Sequence, residues 1–172
     1  MGPISAHVEV DAPRERAFDF VGDLANRPAF MDHFVSGFHL LEIESAGVGA
    51  GARLRFDVAP QALWFDTTIE NEIRPQRISE RGRGGRFNRI PCATEWEFIA
   101  GPGPLTTVRL AFWTEPGNPL DRAKEVFGAA SFWHERNWKT ALRRLRDLLE
   151  AGGPSSPRVA VAGGSRHRTG VP

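Results

Sequence analysis

The feature that most restricts the fold of this chain is a two-residue alternation of apolar and polar side chains from His39 to about Glu115. Groups of glycine and proline, such as Gly101-Pro102-Gly103-Pro104, interrupt it at intervals. Such alternation indicates half-buried strands, and short glycine- and proline-rich breaks favour antiparallel connections. The sequence therefore predicts a meander of six strands, near residues 39–46, 52–59, 63–74, 76–82, 92–100 and 105–115.

Upstream of the meander, the sequence predicts one further strand and two short helices. The segment His7-Val8-Glu9-Val10 alternates, and Asp11-Ala12-Pro13 supplies a capping carboxylate and a proline suited to a first helical turn. Apolar residues at three- and four-residue spacings then predict a helix, which we expect Asn26-Arg27-Pro28 to end. A second short helix is expected around Phe30–Phe34.

The last third of the chain predicts a long helix followed by a tail. Asn118 can cap a helix with Pro119 as its first residue, and the helical pattern continues to Glu150. The glycine- and proline-rich segment 152–157 ends it, and the residues beyond have too little apolar content to fold alone. We expect one domain, residues 1–151, and a disordered C-terminal tail, 152–172. Helices segregated from an antiparallel sheet make this an α+β fold.

Composition argues against several classes of protein. The chain of 172 residues carries a net charge of +1 and has 41% hydrophobic residues, as an ordinary globular protein does. Near-neutral charge and the lack of about 20 consecutive apolar residues predict neither nucleic-acid binding nor a membrane span. A lone cysteine, Cys92, and no leader segment predict a cytoplasmic protein. The sequence carries no signature of oligomeric state.

Two motifs and the order of the elements resemble a known superfamily. The segment Asp11–Val21 followed by Asn26–Phe30 is similar to the opening of the SRPBCC, or START-like, proteins, which include polyketide cyclase/dehydrase and lipid-transport proteins. Gly47-Val48-Gly49-Ala50-Gly51-Ala52-Arg53 resembles their glycine-rich hairpin before a central strand. The resemblance spans residues 4–150. It implies a helix-grip fold, a curved antiparallel sheet of about seven strands wrapped around the long C-terminal helix.

The resemblance is more specific for fold than for function, because one scaffold in this superfamily serves carriers, cyclases, oxygenase domains and chaperone cofactors. A curved sheet around an amphipathic helix leaves a volume between the two, which makes an internal pocket plausible. The same apolar faces also suit a filled core, so the residues themselves leave both interpretations open.

The helix face that would meet the sheet carries two polar residues, His134 and Asn137. Buried polar groups need partners, because an unsatisfied one costs about 1 to 3 kcal/mol. His134 is therefore either a core histidine with a partner inside the protein or a group that contacts a ligand. With the inward strand faces, the predicted ligand-binding residues are Phe56, Phe65, Thr67, Asn71, Thr94, Trp96, Phe112, Phe127, Ala130, His134, Asn137 and Trp138.

Three patterns with chemical meaning point to no site. Residues 47–52 match a dinucleotide-binding pattern but precede a strand instead of opening a helix. Asp32, His33 and His39 lack the spacing of metal ligands, and Cys92 has no cationic or histidine neighbour in sequence to activate its thiol. We expect neither a metal nor a cofactor.

The predicted glycine-rich loop Arg81–Pro91 holds four arginines, Arg81, Arg83, Arg86 and Arg89. Guanidinium groups on a loop can clamp an anionic group, although a solvated edge is the simpler interpretation.

Three functions remain open at this point. The first is the binding of a hydrophobic or aromatic small molecule, lipid- or polyketide-like, between the sheet and the last helix. The second, implied by the resemblance, is a polyketide cyclase/dehydratase-like enzyme. His134 is its acid-base candidate, because an imidazole with a pKa near 6.5 transfers protons near neutrality. The chain has no tyrosine to supply a phenol. The third is a non-catalytic protein-interaction module.

Overall fold

In a computed structural model of the chain, the alternating segments form one curved sheet. The structure describes residues 3–58, 61–115, 130–152 and 160–161. Its strands are β1 Ile4–Asp11, β2 Val35–Leu40, β3 Gly51–Val58, β4 Gln61–Ile73, β5 Arg77–Gly84, β6 Ile90–Ala100, β7 Leu105–Thr114 and the two-residue β8 Ala160–Val161. Its α-helices are α1 Arg14–Gly22, α2 Arg27–Met31 and α3 Ala130–Glu150. One-turn 3-10 helices lie at Leu24–Asn26 and Arg86–Asn88.

The strand order across the sheet is β1-β7-β6-β5-β4-β3-β2-β8. All neighbours from β1 to β2 are antiparallel, and β8 runs parallel to β2. β1 pairs along its whole length with β7, from Ile4 opposite Phe112 to Asp11 opposite Leu105. Helix α3 packs against β1 and α2, on the side of the sheet where the core lies. This arrangement confirms the predicted α+β helix-grip fold.

Helix α1 forms where the apolar spacing predicts it, with Ala17, Phe18 and Val21 buried. Asn26-Arg27-Pro28, however, does not end the helical region. A one-turn helix follows α1, and α2 then begins at Arg27 with Pro28 in its first turn. Proline fits there because the first N–H groups of a helix have no partner within the helix. The chain therefore turns at Asp23, whose side chain accepts a hydrogen bond from the Ala25 amide at 3.0 Å.

The second strand lies earlier than the sequence predicts. β2 covers Val35–Leu40 instead of residues 39–46, and pairing with β3 extends back to Val35 opposite Phe56. Beyond Leu40 the chain leaves the sheet, and Ile43, which continues the alternation, is exposed. Alternation alone therefore extended the prediction into a loop whose apolar residue faces water.

The two predicted parts of the C-terminal region are only partly within the structure. Helix α3 is described from Ala130 to Glu150, and residues 118–129 of the predicted helix lie outside the described residues. Within the tail, Ala160 and Val161 pair with His39 and Leu40, and the other residues beyond 152 lie outside the described residues. Among the described helices, none is both long and apolar enough to cross a membrane.

Candidate functional site

A group of aromatic side chains lies between the middle of the sheet and helix α3. Adjacent strands carry Phe56 on β3 and Phe65 on β4, and Phe112 comes from β7. The ring centroids of Phe56 and Phe65 are 5.2 Å apart, and those of Phe56 and Phe112 are 5.8 Å apart. Trp138 of α3 completes the group, 6.2 Å from Phe112. The two-residue strand period places these rings on one face.

These rings enclose a narrow cavity of about 20 Å³, which is room for one water-sized group. Its apolar walls also include Met31 and Leu54. Polar groups share the same lining: Arg27, Thr67, Glu80, Cys92 and Thr94. Apolar walls with a few polar groups are typical of sites that orient a small molecule.

The most unusual feature of the lining is a buried ion pair between Arg27 of α2 and Glu80 of β5. Arg27 Nη2 lies 2.6 Å from Glu80 Oε1, and the two side chains are only 5% and 4% exposed. Arg27 Nε also donates to the carbonyl oxygen of Val21 at 2.9 Å. The end of α1 and the start of α2 thus hold the guanidinium group in place beneath the sheet.

Two neighbouring side chains complete the surroundings of the Glu80 carboxylate. Trp96 Nε1 donates to Oε1 at 2.9 Å, and Thr67 Oγ1 donates to Oε2 at 3.1 Å. The guanidinium carbon of Arg27 also lies 4.7 Å from the centroid of the Trp96 ring, within cation-π range. Glu80 therefore accepts three hydrogen bonds from described residues on α2, β4 and β6.

A buried ion pair contributes less to the stability of a core than apolar residues of similar size often do. Removing two charges from water costs several kcal/mol per ion, and replacing a buried pair with apolar residues is often neutral or stabilising. The Arg27–Glu80 pair is therefore weak support for stability. Its position on a cavity wall gives a reason for its presence that packing does not.

His134 lies just behind the aromatic walls. Its ring centroid is 5.6 Å from that of Phe56 and 5.8 Å from that of Phe112. Burial lowers the pKa of His134 to about 4, so the imidazole is neutral near pH 7. The predicted inward position of His134 agrees with the structure, and its role in catalysis stays a prediction.

Cys92 lines the cavity but is poorly suited to nucleophilic chemistry. Burial raises the pKa of its thiol to about 12, and the negative charges of Glu80 and Asp66 act in the same direction. The thiolate is the nucleophilic form of cysteine, so the protonated Cys92 behaves as a small apolar wall residue.

The structure brings half of the predicted ligand-binding residues into the cavity lining, namely Phe56, Phe65, Thr67, Thr94, Phe112 and Trp138. Trp96 lies against this group, with its ring centroid 6.1 Å from that of Trp138. Asn137 lies at the margin, half-buried, and its carbonyl oxygen is 3.2 Å from His33 Nε2. Phe127 and the side chain of Ala130 lie outside the described residues.

Asn71 does not face the cavity. The pairing of β4 with β5 shifts by one residue between Ile69 and Asn71, which is a β-bulge. A one-residue shift exchanges the two faces of a strand, so Asn71 and Ile73 are exposed, whereas Glu72 is half-buried. Burial raises the pKa of Glu72. The strand alternation used for the prediction is valid only up to Ile69.

Sequence reasoning missed the role of Arg27 and left the orientation of Glu80 unassigned. Arg27 was expected only as part of the segment that ends a helix, and nothing in the local sequence marks its burial. For Glu80 a signal existed, since Ile78 lies two residues earlier on the same strand and is fully buried. Extending that alternation by one step would have placed the Glu80 carboxylate inside.

One position without a side chain shapes the cavity wall. Phe65 and Gly84 are partners across β4 and β5, and the Phe65 ring covers Gly84. A β-carbon at Gly84 would lie 2.1 Å from Phe65 Cδ1, far inside van der Waals contact. The ring can occupy its position only because residue 84 is glycine.

Two of the four arginines expected in a loop lie on a strand. β5 continues to Gly84, so Arg81 and Arg83 project from its outer face. Arg81 is 3.4 Å from Glu70 and 3.9 Å from Glu115, and Arg83 Nε donates to the Asn88 carbonyl oxygen at 2.9 Å. Both arginines therefore have partners within the protein. Among the described residues, no group of three histidine, cysteine or acidic side chains is placed to hold a metal ion.

Comparison with known protein families shows to which family this chain belongs. The sequence profile of the family described as "Polyketide cyclase / dehydrase and lipid transport" matches residues 1–150. The chain belongs to this family. No curated protein sequence matches it significantly.

Solved structures with the same fold are distant in sequence. The Zhui aromatase/cyclase from Streptomyces sp. R1128 has 18% identity and a TM-score of 0.66, with 88% of this chain and 98% of that chain covered. Major latex-like protein 151 from Panax ginseng has 13% identity and a TM-score of 0.64, covering 86% and 97%. DynU16, from the dynemicin biosynthetic locus, has 21% identity and a TM-score of 0.56, covering 97% and 57%. These three solved structures share the fold of this chain.

Proposed function

We propose that this protein binds a hydrophobic, aromatic small molecule between the sheet and helix α3. The observation that carries the proposal is the buried Arg27–Glu80 pair in the lining of an otherwise aromatic cavity. A fold that needed only a packed core would gain little from two desolvated charges. A site that orients a polar group of a ligand requires fixed charges of this kind.

The aromatic walls define what the ligand's body must be. Phe56 and Phe112 present ring edges and faces at centroid distances of about 6 Å, where a further ring can join an edge-to-face arrangement. A flat ring system uses such contacts better than a branched aliphatic chain. We therefore propose an aromatic or polyketide-like ligand in preference to a fatty acid.

The ligand can enter only if the walls move, because the cavity holds about 20 Å³. Met31 is the wall residue best suited to yield, since its unbranched side chain has three rotatable bonds and adapts to irregular spaces. Binding is then expected to be coupled to repacking of α2 against α3.

The proposal is tested by calorimetric titration and native mass spectrometry with two probes, β-naphthol and β-methylnaphthalene. Thr94→Leu adds bulk inside the cavity, and we expect it to weaken binding of both probes by about tenfold or more. Thr68→Leu is the matched control, because Thr68 is exposed on β4.

Unchanged affinity in Thr94→Leu would place the bound probe elsewhere and overturn the proposal. If the folded wild-type protein binds neither probe, an interaction module becomes the better interpretation. The small cavity volume is the observation that favours this alternative.

A cyclase/dehydratase-like activity is the second candidate, and it rests on His134. A neutral imidazole in contact with the rings of Phe56 and Phe112 can accept a proton close to a bound ring system. Incubation with a poly-β-ketone substrate tests this role. His134→Gln is expected to abolish product formation while ligand affinity changes less than about threefold, and equal turnover by the variant would exclude His134 as the acid-base group.

A further inference from the structure

We infer that the ligand carries a hydroxyl group, phenolic or enolic, that binds between the indole N–H of Trp138 and the carboxylate of Glu80. This inference rests on the proposed function and specifies the chemistry of the same cavity. It uses two residues of the cavity lining that lie on different elements, Trp138 on α3 and Glu80 on β5.

The donor is the Trp138 indole. The residue is 2% exposed, and Nε1 is buried with no hydrogen-bond partner among the described residues. Buried tryptophan N–H groups nearly always have an acceptor, because leaving the group unsatisfied forfeits its hydration. Trp96, the neighbouring tryptophan, follows this rule by donating to Glu80 Oε1. Trp138 lines the cavity and has an indole N–H that lacks an acceptor among the described residues.

The acceptor is the second oxygen of Glu80. A carboxylate has about four acceptor positions. Oε1 receives Arg27 and Trp96, whereas Oε2 receives only Thr67 among the described residues. One acceptor position of Oε2 is thus left for a further donor.

A hydroxyl group is the chemical group that satisfies both sides, since it donates one hydrogen bond and accepts others. A ketone oxygen would accept from Trp138 but offer nothing to Glu80. An ammonium group would donate to Glu80 but could not accept from Trp138. A methyl group would leave both buried groups unsatisfied.

The size of the cavity fits this role. About 20 Å³ accommodates one oxygen-sized group, which is the size of the proposed hydroxyl. The aromatic body of the ligand would occupy the space released by Met31. The existing cavity is therefore large enough for the hydroxyl, whereas the ring needs space that only movement of the walls provides.

The test compares β-naphthol with β-methylnaphthalene, which has a methyl group of similar size in place of the hydroxyl. We expect the wild-type protein to bind β-naphthol about tenfold more tightly. Trp138→Phe removes the N–H and keeps an aromatic ring, and we expect it to weaken β-naphthol binding by about tenfold. Its affinity for β-methylnaphthalene should change by less than about threefold. Trp113→Phe, on the outer face of β7, is the matched control and should leave both affinities unchanged.

An independent measurement keeps the inference testable if Trp138→Phe does not fold. In NMR spectra of the wild-type protein, β-naphthol is expected to shift the Trp138 indole N–H resonance downfield, and β-methylnaphthalene is not. Equal affinity for the two probes, or a β-naphthol preference that survives in Trp138→Phe, would overturn the hydroxyl inference while leaving the proposed function intact. Failure of both probes to bind would overturn the proposed function as well.

Discussion

Two arginine–carboxylate pairs of this protein have the same closest N···O distance but lie on opposite faces of the sheet. Arg27 and Glu80 approach to 2.6 Å inside, where the side chains are 5% and 4% exposed. Arg53 and Asp66 form two hydrogen bonds of 2.6 and 2.7 Å on the outer face, where they are 43% and 26% exposed. Distance alone would rank the two pairs as equals. Burial separates them, because water screens the outer pair and leaves the inner pair dependent on the protein.

Breaking the inner pair, Arg27–Glu80, is expected to have the largest effect on the free energy of unfolding. Glu80→Ala leaves the Arg27 guanidinium buried without its carboxylate and should lower the free energy of unfolding by about 3 to 5 kcal/mol. Urea denaturation measures the change. The double variant Arg27→Met, Glu80→Leu removes both charges and is expected to be near wild-type stability or above it. A double variant as unstable as Glu80→Ala would show that shape, and not the unpaired charge, causes the loss.

Protonation of His134, on the inner face, is expected to have the next largest effect on the free energy of unfolding. Burial lowers the folded-state pKa of His134 to about 4, whereas the unfolded chain titrates near 6.5. Between these values the unfolded state binds more protons, so stability falls as pH falls from about 6.5 to 4. The full loss corresponds to about 3 kcal/mol.

Urea denaturation of the wild-type protein and of His134→Gln across this pH range checks the prediction. The variant should lose most of the pH dependence. His7→Gln, whose side chain is exposed on β1, should retain it. Equal slopes for the wild-type protein and His134→Gln would mean that other groups control acid unfolding.

Breaking the outer pair is expected to have the smallest effect. Asp66→Asn should cost about 0 to 1 kcal/mol, and the difference should shrink in high salt. The hydrogen bond from Arg53 lowers the pKa of Asp66 in the folded state. The contribution of Asp66 to stability is therefore fully present above the pKa that Asp66 has in the unfolded chain. It disappears as pH falls through the lower pKa that Asp66 has in the folded protein.

Thermal melts at low and high salt, at neutral and acidic pH, measure this effect. A loss near that of Glu80→Ala would remove the distinction between the two faces.

The sequence allowed the apolar part of the site to be predicted but not its charged part. Phe56, Phe65 and Phe112 follow from strand alternation, because ring burial on one face is a local periodic property. Arg27 does not, since its burial depends on the turn that places α2 beneath β5, a long-range contact without a local pattern. The Asn71 prediction failed for a related reason. A bulge changes the face of every later residue of a strand, and the sequence around Glu70 does not reveal it.

The fold as a whole was more predictable than the site because it depends on the order of many elements, which tolerates errors at single boundaries. β2 was placed several residues late, yet the antiparallel order of the meander is unaffected. The site depends on a few side chains, and one wrong orientation changes its chemistry. Elements repeat a pattern over many residues, whereas a buried ion pair is specified by only two.

Gly84 gives the shape of the interior a dependence on a residue outside the cavity lining. A single added methyl group there would have to displace the Phe65 ring, since its β-carbon would lie 2.1 Å from Cδ1. The shape of the cavity thus depends partly on Gly84 of β5, which is not one of its wall residues. A comparison of specificity between relatives that considered only the side chains lining the space would miss this position. For an engineer, the same glycine is a point at which the cavity can be reshaped without altering a single lining residue.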